Sequence, residues 1–139
     1  MLIQLTYASR TTGNLGPADI KDILAASQRN NARLGVTGAL CLNNGIFLQQ
    51  LEGDREIVNA LYHRILLDSR HRDPAILDFS EIHARRFGVW SMGLLSSTED
   101  NRNLFLKYSS SASFDPYGMS TATLRSFFDE VLGNVRWIG

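Results

Sequence analysis

Ile46-Phe47-Leu48-Gln49-Gln50-Leu51-Glu52-Gly53 follows directly on Asn43-Asn44-Gly45. An Asn-Gly step between apolar runs is a tight-turn signal, so the stretch reads as the second strand of a hairpin. Side chains alternate faces along a strand. Phe47, Gln49 and Leu51 therefore share one face, and Ile46, Leu48, Gln50 and Glu52 share the other. If the Phe47/Leu51 face points into the core, Gln49 is a primary amide held inside. Leaving such an amide unpartnered costs roughly 1–3 kcal/mol. A buried polar side chain, a water or a ligand has to meet it.

Upstream, Leu2–Ser9 alternates as a strand, with Ile3, Leu5 and Tyr7 on one face and Gln4 and Thr6 on the other. Tyr7 thus lies on the apolar side, where its hydroxyl needs a partner. Arg10–Gly16 is a polar loop, and Pro17 suits the first turn of a helix after a Gly16 cap. That helix is expected to run to about Ala32. Ile20, Ile23, Leu24 and Ser27 recur at helical spacing, and the same stripe continues to Asn31 with Asn30 at its edge. The two Asn residues either bring amides to the buried side or simply mark a fraying helix end. Val36–Leu42 is the first strand of the hairpin.

Downstream, Asp54 is a candidate N-cap for a helix reaching about Ser69. Its stripe holds Ile57, Leu61 and Ile65, with Arg64, Asp68 and His71 at compatible spacing. Arg64 and Asp68 form either a surface i, i+4 ion pair or the polar end of an apolar slot, where an Arg fork suits a phosphate. Pro74 is expected to close the helical region. A strand over Ala75–His83 with Leu77 and Phe79 on one side follows, then another over Phe87–Leu95 with Trp90, Met92 and Leu94 sharing a face. Glu99–Tyr108 reads as a short helix. Ser120 caps a last amphipathic helix carrying Leu124, Phe127, Phe128, Val131 and Leu132, with Gly133 beyond its end. So large an apolar face has to dock on the domain or on a partner.

The order predicts an α+β, ferredoxin-like β-α-β-β-α-β-β chain: a mixed five-stranded sheet, two helices on one face, and two C-terminal helices. In that topology the Gln49 strand lies beside the Tyr7 strand, and Tyr7, Gln49, Asn31 and Arg64 border a slot between sheet and helices. The 139 residues suit one core, divided here into residues 1–95 and a C-terminal helical extension, 96–139, packed on the same domain. Fourteen basic residues balance fourteen acidic ones, so no strong field favours nucleic acid or an anionic membrane. The lone cysteine, Cys41, excludes an internal disulfide and a cysteine-rich metal site. No apolar run reaches the length of a membrane span, and no signal peptide precedes the first strand, so a cytoplasmic protein is expected.

The stretches Leu5–Ser9, Ser27–Asn31, Gly35–Gly38, Phe47–Gly53, Tyr62–Ile65, Asp68–His71 and Trp90–Met92 together resemble the BLUF family of blue-light sensors that use a flavin. The likeness covers roughly residues 1–95 and places the Tyr, the Asn pair and the Gln at matching spacing. Leu106–Ser109 and the final helix look like the short, stand-alone members without an attached enzyme domain. The resemblance implies FAD as cofactor, with FMN or riboflavin also admissible. It implies that Tyr7 is the light-driven electron and proton donor, and that Gln49 bridges tyrosine and flavin and rearranges. It implies that Asn31, with Asn30 nearby, holds the carbonyl edge of the ring, and that Ile23 or Leu24, Phe47 and Ile65 wall it. Arg64, Asp68 and His71 fall at the ribityl-phosphate end, and Trp90 and Met92 on the strand that carries the signal. The output is expected to reach a separate downstream regulatory protein, with the chain forming a homo-oligomer.

Competing readings make different demands. A small ferredoxin-like enzyme, such as an acyl phosphate hydrolase or a flavin reductase, needs a nucleophile with a base or an anion loop. His63, His71 and His83 have no Ser or Cys partner at a recognisable spacing. A cysteine-adduct flavin sensor needs a reactive cysteine, whereas Cys41 sits mid-strand as a buried thiol. A plain interaction module would be colourless.

Overall fold

The computed structural model describes residues 1–13, 15–88, 92–96 and 99–134. The chain runs β1 (Leu2–Thr11), α1 (Pro17–Leu34), β2 (Thr37–Asn43), β3 (Ile46–Asp54), α2 (Arg55–Leu66), β4 (His71–Glu81), β5 (Gly93–Ser96), α3 (Glu99–Lys107), a 3₁₀ turn (Pro116–Gly118) and α4 (Thr121–Asn134). β1 to β4 form an antiparallel block in the order β4-β1-β3-β2, and β5 adds beside β2 in parallel. The hairpin closes as its residues require. Asn44 and Gly45 take φ of 54° and 69°, the pair of left-handed residues that a two-residue turn of this twist demands. Gly38 serves a different need, since a Cβ there would sit 2.1 Å from the Gln50 carbonyl oxygen. β2 can approach β3 only because that Cβ is missing.

β3 is buried on both faces, because the sheet carries two cores. On the front, α1 and α2 cover Ile3, Leu5, Tyr7, Leu40, Phe47 and Leu51, adding Ile23, Leu24, Val58, Leu61 and Tyr62 of their own. On the back, Phe105, Phe114, Leu124, Phe127, Phe128 and Val131 pack on Ala8, Cys41, Ile46 and Leu48. The Phe127/Phe128 face therefore docks within the chain. Burying the back face encloses Gln4, Thr6, Gln50 and Glu52 as well. Gln50 Nε2 donates to Thr6 Oγ1 at 3.0 Å. The Glu52 carboxylate accepts from the Arg86 and Phe87 backbone N–H groups at 2.7 and 2.9 Å and from the Thr37 hydroxyl at 2.9 Å.

Several expected boundaries move. α2 ends at Leu66 rather than near Ser69. The Asp68 side chain takes the Arg70 backbone N–H at 2.9 Å, and this local turn competes with another helical turn. Asp54 occupies the N-cap position of α2, but its carboxylate pairs with the Met1 amine instead of capping. Pro74 lies inside β4, not at the end of a helix. β4 is an edge strand, and Pro74 falls where the register slips between Ala8 and Arg10, beside the left-handed Asp73. Edges and bulges are where a strand tolerates proline. A second slip, between Thr6 and Tyr7, breaks the alternation expected for Leu77 and Phe79. Phe79 pairs with Leu5 while Leu77 packs on the back core. The last strand is described over Gly93–Ser96, and Phe87, expected to begin it, belongs to the loop held by Glu52. Ser120 does cap α4, accepting the Thr123 N–H at 3.1 Å, but the helix continues through Gly133 to Asn134. Trp90, Trp137 and Ile138 lie outside the described residues.

Candidate functional site: a slot between the sheet and two helices

The register of β1 against β3 puts Tyr7 opposite Gln49. Both face the front core, and the Tyr7 hydroxyl donates to Gln49 Oε1. The other end of the amide, Nε2, donates to the Met92 sulfur at 3.4 Å. So the partner Gln49 needs is a phenol on one side and a thioether on the other. Met92, 1 % exposed, is itself tied to α1, since Gln28 Nε2 donates to its carbonyl at 3.1 Å. Burial pushes the Tyr7 phenol far up, with Tyr62 and then Asp68 adding to the shift, so its proton stays on in the resting protein.

This pair closes the inner end of a cavity of about 230 Å³ lined by Tyr7, Ile23, Ser27, Asn30, Asn31, Leu40, Phe47, Gln49, Leu51, Leu61, Arg64, Ile65, Asp68, Arg70 and His71, with Ala26. Asn31 is 2 % exposed, so the stripe of α1 does carry an amide inward. The Asn31 carbonyl also accepts the Gly35 and Val36 N–H groups, fixing the last turn of α1. Asn30 is exposed on its outer side but still reaches the cavity. Leu24 is packed in the front core beside Ile23 and does not line the cavity.

The polar mouth differs from the expected pairing. Asp68 is paired with Arg70, whose Nη2 and Nε lie 2.6 and 3.0 Å from its oxygens, rather than with Arg64. The Arg70 bonds hold the Asp68 carboxyl down at about 2. Arg64 makes no ion pair among the described residues and remains a guanidinium at the cavity edge. His71 shares a 2.6 Å hydrogen bond between Nδ1 and Ser9 Oγ and rests its ring 4.8 Å from that of Phe47. Burial lowers its pKa, with Asp68 opposing and Arg70 reinforcing the shift.

Sequence reasoning did not single out Arg70 or Tyr62, nor the cavity-lining Ala26 and Leu40. Arg70 was passed over because helical spacing paired Asp68 with Arg64; the competing signal is the Asp-Ser-Arg turn. Tyr62, whose ring meets Tyr7 edge-on at 5.2 Å, falls on the stripe Val58, Leu61, Tyr62, Ile65, which has the i, i+3, i+4, i+7 spacing of a buried helix face.

The donor set fits a flavin. Ile23, Phe47, Leu61 and Ile65 give apolar walls for a flat ring. Asn31 and Gln49 offer amides, which both donate and accept, to an edge that carries carbonyl and N–H groups. Arg64 brings a guanidinium to the cavity lining, a group whose fork suits a phosphate. Residues 2–93 match the family model described as sensors of blue light using FAD. The chain belongs to the BLUF family. Among curated relatives it is 36% identical over 100 residues to the photoactivated adenylate cyclase subunit beta of Euglena longa, covering 71% of this chain and 11% of that protein. It is 35% identical over 94 residues to the blue light- and temperature-regulated antirepressor BluF of Escherichia coli, covering 68% of this chain and 23% of the relative. The chain thus spans only a small part of the curated relatives it matches. Among solved structures, the photo-activated state of BlsA superposes with a TM-score of 0.89 at 28% identity, over 100% of this chain and 99% of that one. The dark state of BlrB, a BLUF protein, gives 0.79 at 35% identity, over 94% and 96%. BLUF domains are sensors, and their flavin is FAD. Among the described residues no helix is long and apolar enough to cross a membrane, and no cluster of metal-ligating side chains is present.

Proposed function

We propose that this chain is a blue-light photoreceptor that holds FAD non-covalently in the slot and signals through the Tyr7–Gln49–Met92 chain of hydrogen bonds. The observation that carries the proposal is Gln49 itself, an inward amide bonded at one end to an oxidisable phenol and at the other to a weak acceptor. Bound flavin, once excited, supplies a strong oxidant. Tyr7 is the electron donor, and its hydroxyl proton has a ready acceptor in Gln49 Oε1, so charge need not accumulate on the buried phenol. Gln49, having taken the proton, rotates or tautomerises; the electron then returns to Tyr7 together with a proton, so that no net oxidation remains and only the hydrogen bonds differ. Gln49 Nε2 has little to lose, because a thioether is a weak acceptor. The rearranged amide offers a stronger hydrogen bond toward the slot, which is read as a red shift of absorption and relaxes in the dark. Met92 feels the same event, and the population of its segment shifts.

In this reading Asn31 and Asn30 hold the ring edge, Ile23, Phe47 and Ile65 wall it, and Arg64, Asp68 and His71 border the ribityl-phosphate end. Trp90 is assigned to signalling with Met92. Residues 1–95 form the flavin-binding unit and 96–139 its extension. The chain acts in the cytoplasm on a separate regulatory protein. The support is that its relatives include an antirepressor and light-regulated cyclases. Self-association is also proposed. Phe127 and Phe128 no longer argue for it, being buried within the chain, but Ile76 and Phe79 remain half exposed on the edge strand.

An absorption spectrum taken dark and after blue light is the test. The expected result is a flavin spectrum that shifts slightly to the red and recovers in the dark. A spectrum that bleaches, or a colourless protein after reconstitution with FAD, overturns the reading.

A further inference from the structure

The Tyr7 ring is 1 % exposed, and among the described residues its hydroxyl meets Gln49 Oε1. Where that hydroxyl lies is set by the swing of the ring about its Cα–Cβ bond, because the phenol oxygen sits on the ring's own axis. Among the described residues Tyr62 makes an aromatic contact with the ring, at 5.2 Å between centroids and 61° between planes. Edge-to-face is the favoured geometry for two aromatic rings. Tyr62 does not line the flavin slot. It lines a second cavity of about 320 Å³ on the other side of α2, with Leu5, Val58, Ile76 and Phe79 around it and Arg55, Glu56 and Asn59 at the rim. Its own hydroxyl makes no hydrogen bond among the described residues, so what it offers Tyr7 is the ring edge. Leu61 and Ile65, its neighbours on α2, face the slot. One helix therefore walls the cofactor and braces the residue that reacts with it.

We propose that Tyr62 is a positioning residue: its ring edge limits the swing of the Tyr7 ring so that the hydroxyl meets Gln49 Oε1. The proposal rests on the photoreceptor reading for its consequence, though not for its geometry. Without the brace, the Tyr7 ring swings toward the space left by Tyr62 and the hydroxyl spends less time on the amide. Proton transfer coupled to the electron then becomes less frequent.

The test compares Tyr62→Phe and Tyr62→Leu with the wild type, using ring-labelled tyrosine and magnetic resonance in the dark. The Tyr7 Cζ resonance, which follows the hydrogen bond of the phenol, is expected to keep its position in wild type and Tyr62→Phe, which keeps the edge. In Tyr62→Leu it is expected to move toward that of an unbonded phenol. The yield of the light-induced red shift should fall roughly threefold or more in Tyr62→Leu and be retained in Tyr62→Phe. Loss of the shift in Tyr62→Phe as deep as in Tyr62→Leu overturns the proposal, since the hydroxyl would then be the acting group. So does a folded Tyr62→Leu with an unchanged Tyr7 resonance and yield. If Tyr62→Leu does not fold, Tyr62→Met takes its place under the same criteria. A wild type that shows no red shift at all fails the photoreceptor reading and leaves the ring measurement in the dark to decide the brace.

Discussion

In the proposed photochemistry Gln49 is the residue that rearranges, because its two ends meet unequal partners. Gln49→Leu removes both bonds while keeping an apolar wall. The expected outcome is a protein that still binds flavin but has no red shift, measured by difference spectroscopy. Tyr7→Phe keeps the ring and removes the proton donor, with the same expected loss. His71 and Asp68 set the response to acid. The lowered His71 is neutral when folded, so its contribution is complete above its ordinary 6.5 and falls away as pH drops through the lower folded value. Asp68, held at about 2 by Arg70, contributes above its ordinary 3.8 and loses that contribution as pH falls toward 2. Stability measured by urea unfolding across this range should fall in two steps, and His71→Gln should remove the upper one. The identity of the Gln49 partners was half legible beforehand. Strand alternation puts Tyr7 on the apolar face and the ferredoxin-like order brings its strand beside that of Gln49, whereas the Met92 sulfur is brought in by a segment with no local signal pointing at Gln49.

β2 and β3 are held close by an absence at Gly38. A methyl group there meets the Gln50 backbone oxygen at 2.1 Å, and neither strand can yield without losing ladder bonds. Gly38→Ala is expected to destabilise by about 1–3 kcal/mol, toward the upper end, read as a lower denaturant midpoint with an unchanged slope. β4 shows why alternation misled at Leu77 and Phe79. Period-two patterns assume an unbroken register, and two slips against β1 move side chains to the other face without leaving a clear trace in composition. α1 behaved as its stripe implied, through Asn31 and on to Leu34, because periodicity over 18 residues outweighs the poor helix propensity of two asparagines.

The sheet is sandwiched between two covers, and the back cover is knit around Phe127. Its ring lies 5.3 Å from Phe128, and 5.8 Å from Phe105, Phe114 and Tyr108. Phe127→Ala is expected to cost about 3–5 kcal/mol, measured by thermal or chemical unfolding. Flavin-slot residues are all on the opposite face, so any loss of cofactor in that variant should track unfolding. The back cover is also joined to the loop before Met92: Phe87 meets Phe128 edge-on at 6.4 Å, and Arg86 pairs with Asp129.

Local pattern was enough for the element order, the hairpin and the shared face of Phe47, Gln49 and Leu51, while it left the Asn30–Asn31 end of α1 open between an inward stripe and a fraying end. The first three follow from period and turn chemistry, which act over a few residues. Long-range contact alone decided the rest. Asp68 had two guanidinium groups within reach, and the turn after α2 chose Arg70, leaving Arg64 at the mouth of the slot. Gln4, Thr6, Gln50 and Glu52 look like a solvent face in one dimension. They are buried because helices more than forty residues away in sequence close over them, and a strand pattern cannot register what will cover its far side.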